Sequence, residues 1–160
     1  MVRFGWRENG VSDRDPVSMV DVSGKEVVQR VATATGRIVL RRETVEAVRL
    51  GRVRKGDPLA VAEVASIQAV KKTPDLIPLC HNVPIGSVDT SFTIGDTYID
   101  ATCRVTAVYR TGVEMEALTG VTMALLNIWD MVKYLEKDEE GQYPDARIMD
   151  VRVTEKWKEE

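Results

Sequence analysis

The sequence predicts one α+β domain in which helices cover one face of an antiparallel sheet. Three observations favour this fold class. The chain has 160 residues and is 44% hydrophobic, so it can bury a core without a disulfide framework. Two adjacent segments alternate apolar and polar residues as strands do, and a later segment has the three-to-four spacing of a long helix. The predicted elements follow the order β-α-α-β-β-α-β.

The first elements are short. Residues 1–18 have no sustained period and end on a turn signal, so we expect a flexible arm there. Residues 37–41 place three apolar residues between two arginines and predict a strand. Residues 43–50 predict a short helix, which ends at Gly51.

A second helix and an irregular loop follow. The Asp-Pro pair at 57–58 supplies the residue types preferred at a helix N-cap and first position, and Pro74 stops this helix. Residues 73–84 contain three prolines and are therefore predicted to be irregular. Because the loop is also apolar, we expect it to press against the domain and to present Cys80 and His81.

The two alternating segments predict a β-hairpin with one buried face. Its strands are residues 87–94 and 98–109, joined by a two-residue turn at Gly95-Asp96. The buried face includes Cys103, which is therefore interpreted as a core thiol. Two cysteines without CxxC spacing favour a reducing, cytoplasmic location.

Residues 112–137 predict the longest helix, with apolar residues at steps of three and four. Thr111 and Glu114 fit a capping box at its start. Residues 147–153 predict the last strand, and residues 154–160 a charged tail.

If the two early helices form one crossover, the order becomes βαββαβ, which is the ferredoxin-like plan. Such a sheet has helices on one face and leaves the other face uncovered. Apolar side chains of the Val88 and Ile99 type on the uncovered face would favour association. The sequence therefore predicts an oligomer.

Composition excludes several functional classes. One His and two Cys are too few for most zinc sites, so no metal site is predicted. Apolar runs are too short for a membrane span, and phosphate-loop, dinucleotide and hydrolase-elbow motifs are missing. The net charge is −3, yet residues 37–72 hold nine Lys and Arg against four acids. This basic segment favours a small anionic ligand over nucleic acid, with an ordinary solvated surface as the alternative.

Asp130 and Lys133 are the first candidates for chemistry. They lie three residues apart on one helix face, inside a mostly apolar stretch. A partly buried pair would have coupled pKa values near neutral pH and could transfer protons, whereas an ordinary surface ion pair is the alternative. Lys55 follows Arg52 and Arg54, and the three cations could neutralise a phosphate.

Cys80 and His81 suggest a thiol–imidazole nucleophile, but neighbours in an extended loop point to opposite sides. We therefore interpret His81 as a hydrogen-bonding or proton-shuttling group, with a thiol hydrolase using Cys80 as an alternative. Glu114 is accounted for by the predicted capping box. Glu116 has no such role and is favoured there by the helix dipole alone.

Five motifs resemble the MoaC family of molybdenum cofactor biosynthesis, in family order and spacing. They are MVDVSGK (19–25), KGD (55–57), KKTPDLIPLCH (71–81), TGVEMEAL (111–118) and IWDMVK (128–133). The resemblance implies a catalytic domain over residues 19–153 with a ferredoxin-like fold. It further implies a cytoplasmic homohexamer, a trimer of dimers, with active sites at subunit interfaces.

The resemblance also implies an activity. The family acts as a lyase on the cyclo-dihydro-GTP that the radical enzyme MoaA makes from GTP. The products are cyclic pyranopterin monophosphate and pyrophosphate, and no cofactor is expected. A non-catalytic ferredoxin-like module that binds a phosphorylated small molecule is the alternative, because fold does not determine function.

Carried over by position, the resemblance implies catalytic roles for Asp130, Lys133, Lys55 and His81. The substrate-binding candidates are Leu79, Cys80, His81, Met115, Glu116, Glu114, Lys71 and Lys72. We expect Lys55 and Lys71 or Lys72 to hold phosphates. The C-terminus departs from the family, whose tail often contains Gly-Gly-Lys: Lys156 fits the first family lysine, but Gly-Gly-Lys is missing.

Overall fold

The structure, a computed structural model, describes residues 17–160, so nearly all of the predicted N-terminal arm (1–18) lies outside the described residues. The described part contains, in order, β1 (Val28–Val39), α1 (Arg42–Arg49), α2 (Pro58–Lys71), α3 (Thr73–Leu76), β2 (Ile85–Ile94), β3 (Tyr98–Tyr109), α4 (Glu114–Glu136) and β4 (Arg147–Lys158). Its sheet has the order β2-β3-β1-β4, and all neighbours are antiparallel. The α+β class is confirmed, and the strand order is consistent with the ferredoxin-like plan.

The two strands at the sheet centre determine how the rest is placed. β1 pairs with β3 from Val28↔Tyr109 to Val39↔Tyr98. β1 therefore starts nine residues before the predicted Arg37. Its middle, residues 32–35, alternates buried alanines with threonines, and alanine is depleted in strands but suits a central strand under a helix.

The last strand is also longer than predicted. β4 continues past Val153 to Lys158 because its second half pairs with the first half of β1, including Val31↔Trp157 and Arg30↔Lys158. Most of the predicted charged tail is therefore held in the sheet. Strand residues two apart point to the same face, so Lys156 and Lys158 project together.

The core lies between the sheet and the paired helices α2 and α4. The buried face of β3 is confirmed, since Ile99, Ala101, Cys103 and Val105 are all fully buried. On α4, the predicted helical spacing is confirmed by its buried residues Val121, Leu125, Ile128 and Val132. Asp57 caps α2 as predicted, since its carboxylate accepts the N–H groups of Leu59 and Ala60.

The uncovered sheet face differs from the prediction. Ile99 is fully buried on the helix side, and Val88 packs against the core, so neither supplies an apolar open face. One cavity on the open face is mostly polar, and its lining residues are Thr35, Gly36, Arg37, Thr93, Asp100, Thr102, Asp150, Arg152 and Thr154. The residues named for the open face are therefore wrong, while the oligomer itself stays a prediction.

The predicted capping box is wrong. Val113 is the N-cap residue of α4 and makes no side-chain cap, while Glu114 forms an ion pair with Lys156 of β4. Because β4 lies beside the start of α4, Glu114 pairs with the distant Lys156 rather than with a neighbour in its own helix turn. Glu114 is thus part of a charged surface rather than a helix cap.

Two loops also differ from expectation. Residues Thr73–Leu76 form one helical turn, because proline is tolerated in the first turn of a helix. Leu76 and Leu79 are about half exposed, so they do not press against the domain. In the hairpin, the Gly95 N–H donates to the Tyr98 carbonyl, which moves the turn one residue along to Asp96–Thr97.

Candidate active site

Asp130, near the C-terminal end of α4, lies between two lysines. The Lys133 ammonium, one turn further along the helix, is 2.8 Å from Asp130 Oδ1. Lys55, from the loop before α2, places its Nζ 2.7 Å from Asp130 Oδ2 and donates to the Asp130 carbonyl oxygen at 3.0 Å. These three residues are referred to below as the Asp130 cluster, and the structure confirms that they come together.

The charge state of this cluster differs from the sequence interpretation. Hydrogen bonds from Lys133 and Lys55 lower the pKa of Asp130 to about 2, and Asp130 in turn raises the pKa of Lys133. All three side chains are about half exposed. The expectation of a pair with pKa values near neutral is therefore wrong. At pH 7 the cluster holds one carboxylate between two ammonium groups.

The opposite end of α4 has a different character. Glu116, in the first helical turn, is 2% exposed, and burial raises its pKa. The Cys80 thiol is close enough that Glu116 adds to the effect of burial and raises the thiol pKa. His81 is near the same carboxylate, and its Nε2 lies 2.7 Å from the Val20 carbonyl oxygen. Cys80, His81 and Glu116 are the Glu116 cluster below.

A basic cavity of about 540 Å³ adjoins this end of α4. It is lined by Lys25, Arg30, Arg110, Thr111, Gly112, Glu114, Met115, Lys156 and Lys158. Of its five cations, sequence reasoning singled out only Lys156, because the five come from separate segments and meet through pairing of β1 with β3 and β4. The alternation of Lys156 and Lys158 was the one local signal that they share a face.

The basic segment singled out from composition is largely neutralised. Five of its nine cations form ion pairs with acids: Arg37 with Asp100, Arg41 with Asp145, Arg42 with Asp96, Arg49 with Glu46, and Lys55 with Asp130. Lys71 and Lys72 are exposed at the end of α2. A helix of that length spans about 21 Å, so both lie far from Lys55 at its start.

The predicted catalytic residues do not meet within one chain. Glu116 and Asp130 are 14 residues apart on one continuous helix, which corresponds to about 21 Å along its axis. His81, Cys80 and Met115 lie at the Glu116 end, together with the basic cavity. One chain thus carries two separate groups of candidate residues at opposite ends of α4.

Comparison with known proteins identifies the family. A family model described as "MoaC family" matches residues 19–158. The chain belongs to the MoaC family. A relative from Pyrococcus abyssi is 61% identical over 146 residues, which cover 91% of this chain and 92% of the relative. One from Thermococcus kodakarensis is 60% identical over 148 residues, covering 92% and 95% respectively.

A more distant relative, from Methanococcoides burtonii, is 57% identical over 145 residues and 91% of each chain. All three relatives are named "Probable cyclic pyranopterin monophosphate synthase". This MoaC-family chain is accordingly an enzyme. Within residues 17–160, no helix is long and apolar enough to cross a membrane, and no three His, Cys, Asp or Glu side chains are grouped as metal ligands.

Proposed function

We propose that this MoaC-family enzyme acts in molybdenum cofactor biosynthesis. It converts the cyclo-dihydro-GTP made by the radical enzyme MoaA into cyclic pyranopterin monophosphate and releases pyrophosphate. The observation that carries the proposal is the Asp130 cluster, in which one carboxylate holds two protonated lysines at the solvent-accessible end of α4. The names of the relatives support the same reaction.

The Asp130 cluster suits the rearrangement of the purine-derived ring. This rearrangement needs several proton transfers, and each positioned acid or base contributes about 10²–10⁴-fold. Because Lys133 is protonated, it first serves as an acid and, once neutral, as a base. Asp130 stays ionised and holds both ammonium groups in place. Lys55 adds positive charge where negative charge develops on the substrate.

The basic cavity suits the triphosphate. Attack of a hydroxyl on the α-phosphorus forms the cyclic phosphate ester and breaks the bond to the β-phosphate, so pyrophosphate leaves with a large negative charge. Arg30, Arg110 and Lys158 line the cavity and can neutralise that charge. Glu116 follows Met115 of the cavity lining, has a raised pKa, and is our candidate base for the hydroxyl proton. Lys71 and Lys72 remain phosphate-binding candidates.

In this proposal the Asp130 cluster and the Glu116 cluster with its basic cavity are two half-sites, and a ligand that touches both requires two subunits. Two apolar cavities lie on the outer surface beside α4: one of about 440 Å³, mostly on α2, and one of about 350 Å³, between α4 and the α3 segment. They are lined by Ala60, Val61, Val64, Ala65, Gln68 and Asn127, and by Leu76, Ile77, Met115, Leu118, Thr119, Thr122 and Met123. A two-fold axis near Met123 would bring the Asp130 cluster of one copy beside the Glu116 cluster of the other.

We therefore place the active site at a dimer interface formed by the outer faces of α2 and α4, within a homohexamer built as a trimer of dimers. This assembly would bury the apolar cavities in the dimer contact. It would also cover the Asp130 cluster, whose side chains are about half exposed within one chain.

The activity is tested by incubating the purified chain with the product of the radical enzyme. We expect a pterin chromophore and one pyrophosphate per turnover. Binding of the substrate without either product would favour the non-catalytic binding module. Loss of all turnover in Cys80→Ala would instead favour the thiol hydrolase.

The interface is tested by mixing two inactive variants, Asp130→Asn and Glu116→Gln. In a mixed dimer one site carries both substitutions and the other carries neither. After subunit exchange, random pairing should restore about one quarter of the wild-type activity. If both half-sites acted within one chain, the mixture would stay as inactive as its components.

A further inference from the structure

Tyr134 follows directly after the last residue of the IWDMVK motif and has no role assigned by the family match. Its hydroxyl accepts the backbone N–H of Arg54 at 3.0 Å. The guanidinium of the same arginine lies over the Tyr134 ring, 4.9 Å from its centroid. Tyr134 therefore holds the residue before Lys55 by both its backbone and its side chain.

The loop that carries Lys55 has few other anchors. Val53 is buried in the core, and the Gly56 N–H donates to the Val53 carbonyl at 3.1 Å. Gly56 has a φ of +106°, a conformation that side chains disfavour, so the chain reverses sharply just after Lys55. Between the buried residue and this reversal, the contact with Tyr134 fixes the loop against α4.

The target of Lys55 lies on the same rigid element as this anchor. Asp130 is one helical turn before Tyr134 on α4, so both project from neighbouring positions. A lysine side chain loses rotamer entropy when it is held in one arrangement. Tyr134 holds the backbone at Arg54, one residue before Lys55. Lys55 therefore has less conformational freedom to lose when it forms the ion pair with Asp130.

We infer that Tyr134 is a positioning residue for this reaction, which acts through Arg54 to hold Lys55 on Asp130. The inference depends on the proposed function, because it assumes that the Asp130 cluster is catalytic. Tyr134 itself is not expected to touch the substrate. Its ring also packs against the core, so its effect on Lys55 must be separated from its effect on stability.

The first test is a double-mutant cycle. Tyr134→Phe removes the hydroxyl and keeps the ring, and we expect kcat to fall about tenfold with an unchanged melting temperature. In a Lys55→Ala background the same substitution should have no further effect, because the residue through which it acts is gone. If the two losses multiply instead, Tyr134 does not act through Lys55 and the inference is wrong.

Tyr98→Phe is the matched control. Tyr98 also lies beneath an arginine, with the Arg37 guanidinium 3.7 Å from its ring centroid, but it is on β3 and away from the cluster. This variant should keep the wild-type kcat. A tenfold loss in Tyr98→Phe as well would show a general effect of removing a phenol, and the inference would fail.

A readout that does not involve turnover separates this inference from the proposed function. The ammonium of Lys55 should give a ¹H–¹⁵N NMR signal, because its hydrogen bonds to Asp130 slow exchange with water. We expect this signal to broaden in Tyr134→Phe and to persist in Tyr98→Phe. Its persistence in Tyr134→Phe would overturn the positioning role. Full turnover of Lys55→Ala would overturn only the catalytic role of Lys55, and the positioning of Lys55 by Tyr134 would still be decided by the NMR signal.

Discussion

The two ends of α4 hold ionisable groups in opposite environments. At the C-terminal end, Asp130 is half exposed, has two ammonium partners, and its pKa is about 2. At the N-terminal end, Glu116 is buried, and its pKa is raised by burial and by Glu114. The sequence interpretation gave Asp130 a catalytic role and Glu116 a substrate-binding role in one active site.

This difference is the basis of the proposed division of labour. A carboxylate that stays ionised across the physiological pH range cannot donate a proton, so we propose that Asp130 organises charge. A carboxylate with a raised pKa exchanges a proton more readily near neutral pH, which suits Glu116 for proton transfer. In this proposal the same helix carries an electrostatic half-site and a proton-transfer half-site, about 21 Å apart.

The largest effect is expected at the electrostatic end. Asp130→Asn keeps the shape but removes the charge that holds Lys55 and Lys133, so we expect kcat to fall by about 10²–10⁴-fold. The two lysines would then repel one another. Initial rates of pyrophosphate release measure the change.

Asp145→Asn is a suitable control for this substitution. Asp145 has nearly the same exposure as Asp130 and pairs with Arg41 at 2.9 Å, outside both half-sites. It should retain wild-type turnover. Equal losses in the two variants would mean that surface charge in general, rather than the Asp130 cluster, is responsible.

The second effect tests whether the two ends meet across an interface. Leu126 is 47% exposed on the α4 surface between the half-sites. Leu126→Arg should separate the dimer and lower activity by about 100-fold, because each site would lack its partner half. Light scattering gives the mass, and the pyrophosphate assay gives the rate.

Leu50 is the matched control for Leu126, since it is 49% exposed at the end of α1. Leu50→Arg should leave both the mass and the rate unchanged. An active, monomeric Leu126→Arg variant would refute the composite site. It would leave each half-site to be explained within one chain.

The third effect concerns stability at the proton-transfer end. Because burial raises the pKa of Glu116, its ionised form destabilises the folded state above that pKa. Glu116→Gln should therefore increase the unfolding free energy at pH 7 by about 1 kcal/mol while it lowers activity. The gain should disappear as the pH falls below 4.5, the ordinary value, where the wild-type carboxyl is protonated.

Urea denaturation at pH 7 and pH 4 measures this difference. A Glu116→Gln variant that is less stable at pH 7 would show that neighbouring cations compensate the buried charge. In that case Glu116 would resemble Asp130, and the contrast between the two ends would be lost.

Sequence reasoning succeeded where the pattern is local. The hairpin with Cys103 in the core, the Asp57 cap and the pairing of Asp130 with Lys133 follow from spacings of two, three or four residues. The contact of Lys55 with Asp130 spans 75 residues, and motif resemblance rather than periodicity brought them into one site.

The failures share a cause as well. Because β4 pairs with β1 over a long sequence distance, both strands are longer than predicted. For the same reason Glu114 forms an ion pair with Lys156 rather than capping α4. This pairing also assembled the basic cavity from cations that lie in separate segments of the sequence. The expectation that the pKa of Asp130 lies near neutral pH was wrong, because the number of cations around a carboxylate depends on tertiary contacts.

The smallest effect is expected for Cys80→Ala. Burial and the nearby Glu116 carboxylate raise the thiol pKa, so Cys80 is protonated at neutral pH and is a poor nucleophile. His81, the obvious base, has its Nε2 against the Val20 carbonyl.

Loss of a covalent nucleophile lowers turnover on the order of 10⁶-fold, whereas loss of a small substrate contact lowers it less than about tenfold. We expect Cys80→Ala to turn over within about tenfold of wild type at saturating substrate, which would assign Cys80 to packing against the substrate. A loss approaching about 10⁶-fold would instead show that the Glu116 end of α4 carries a covalent nucleophile.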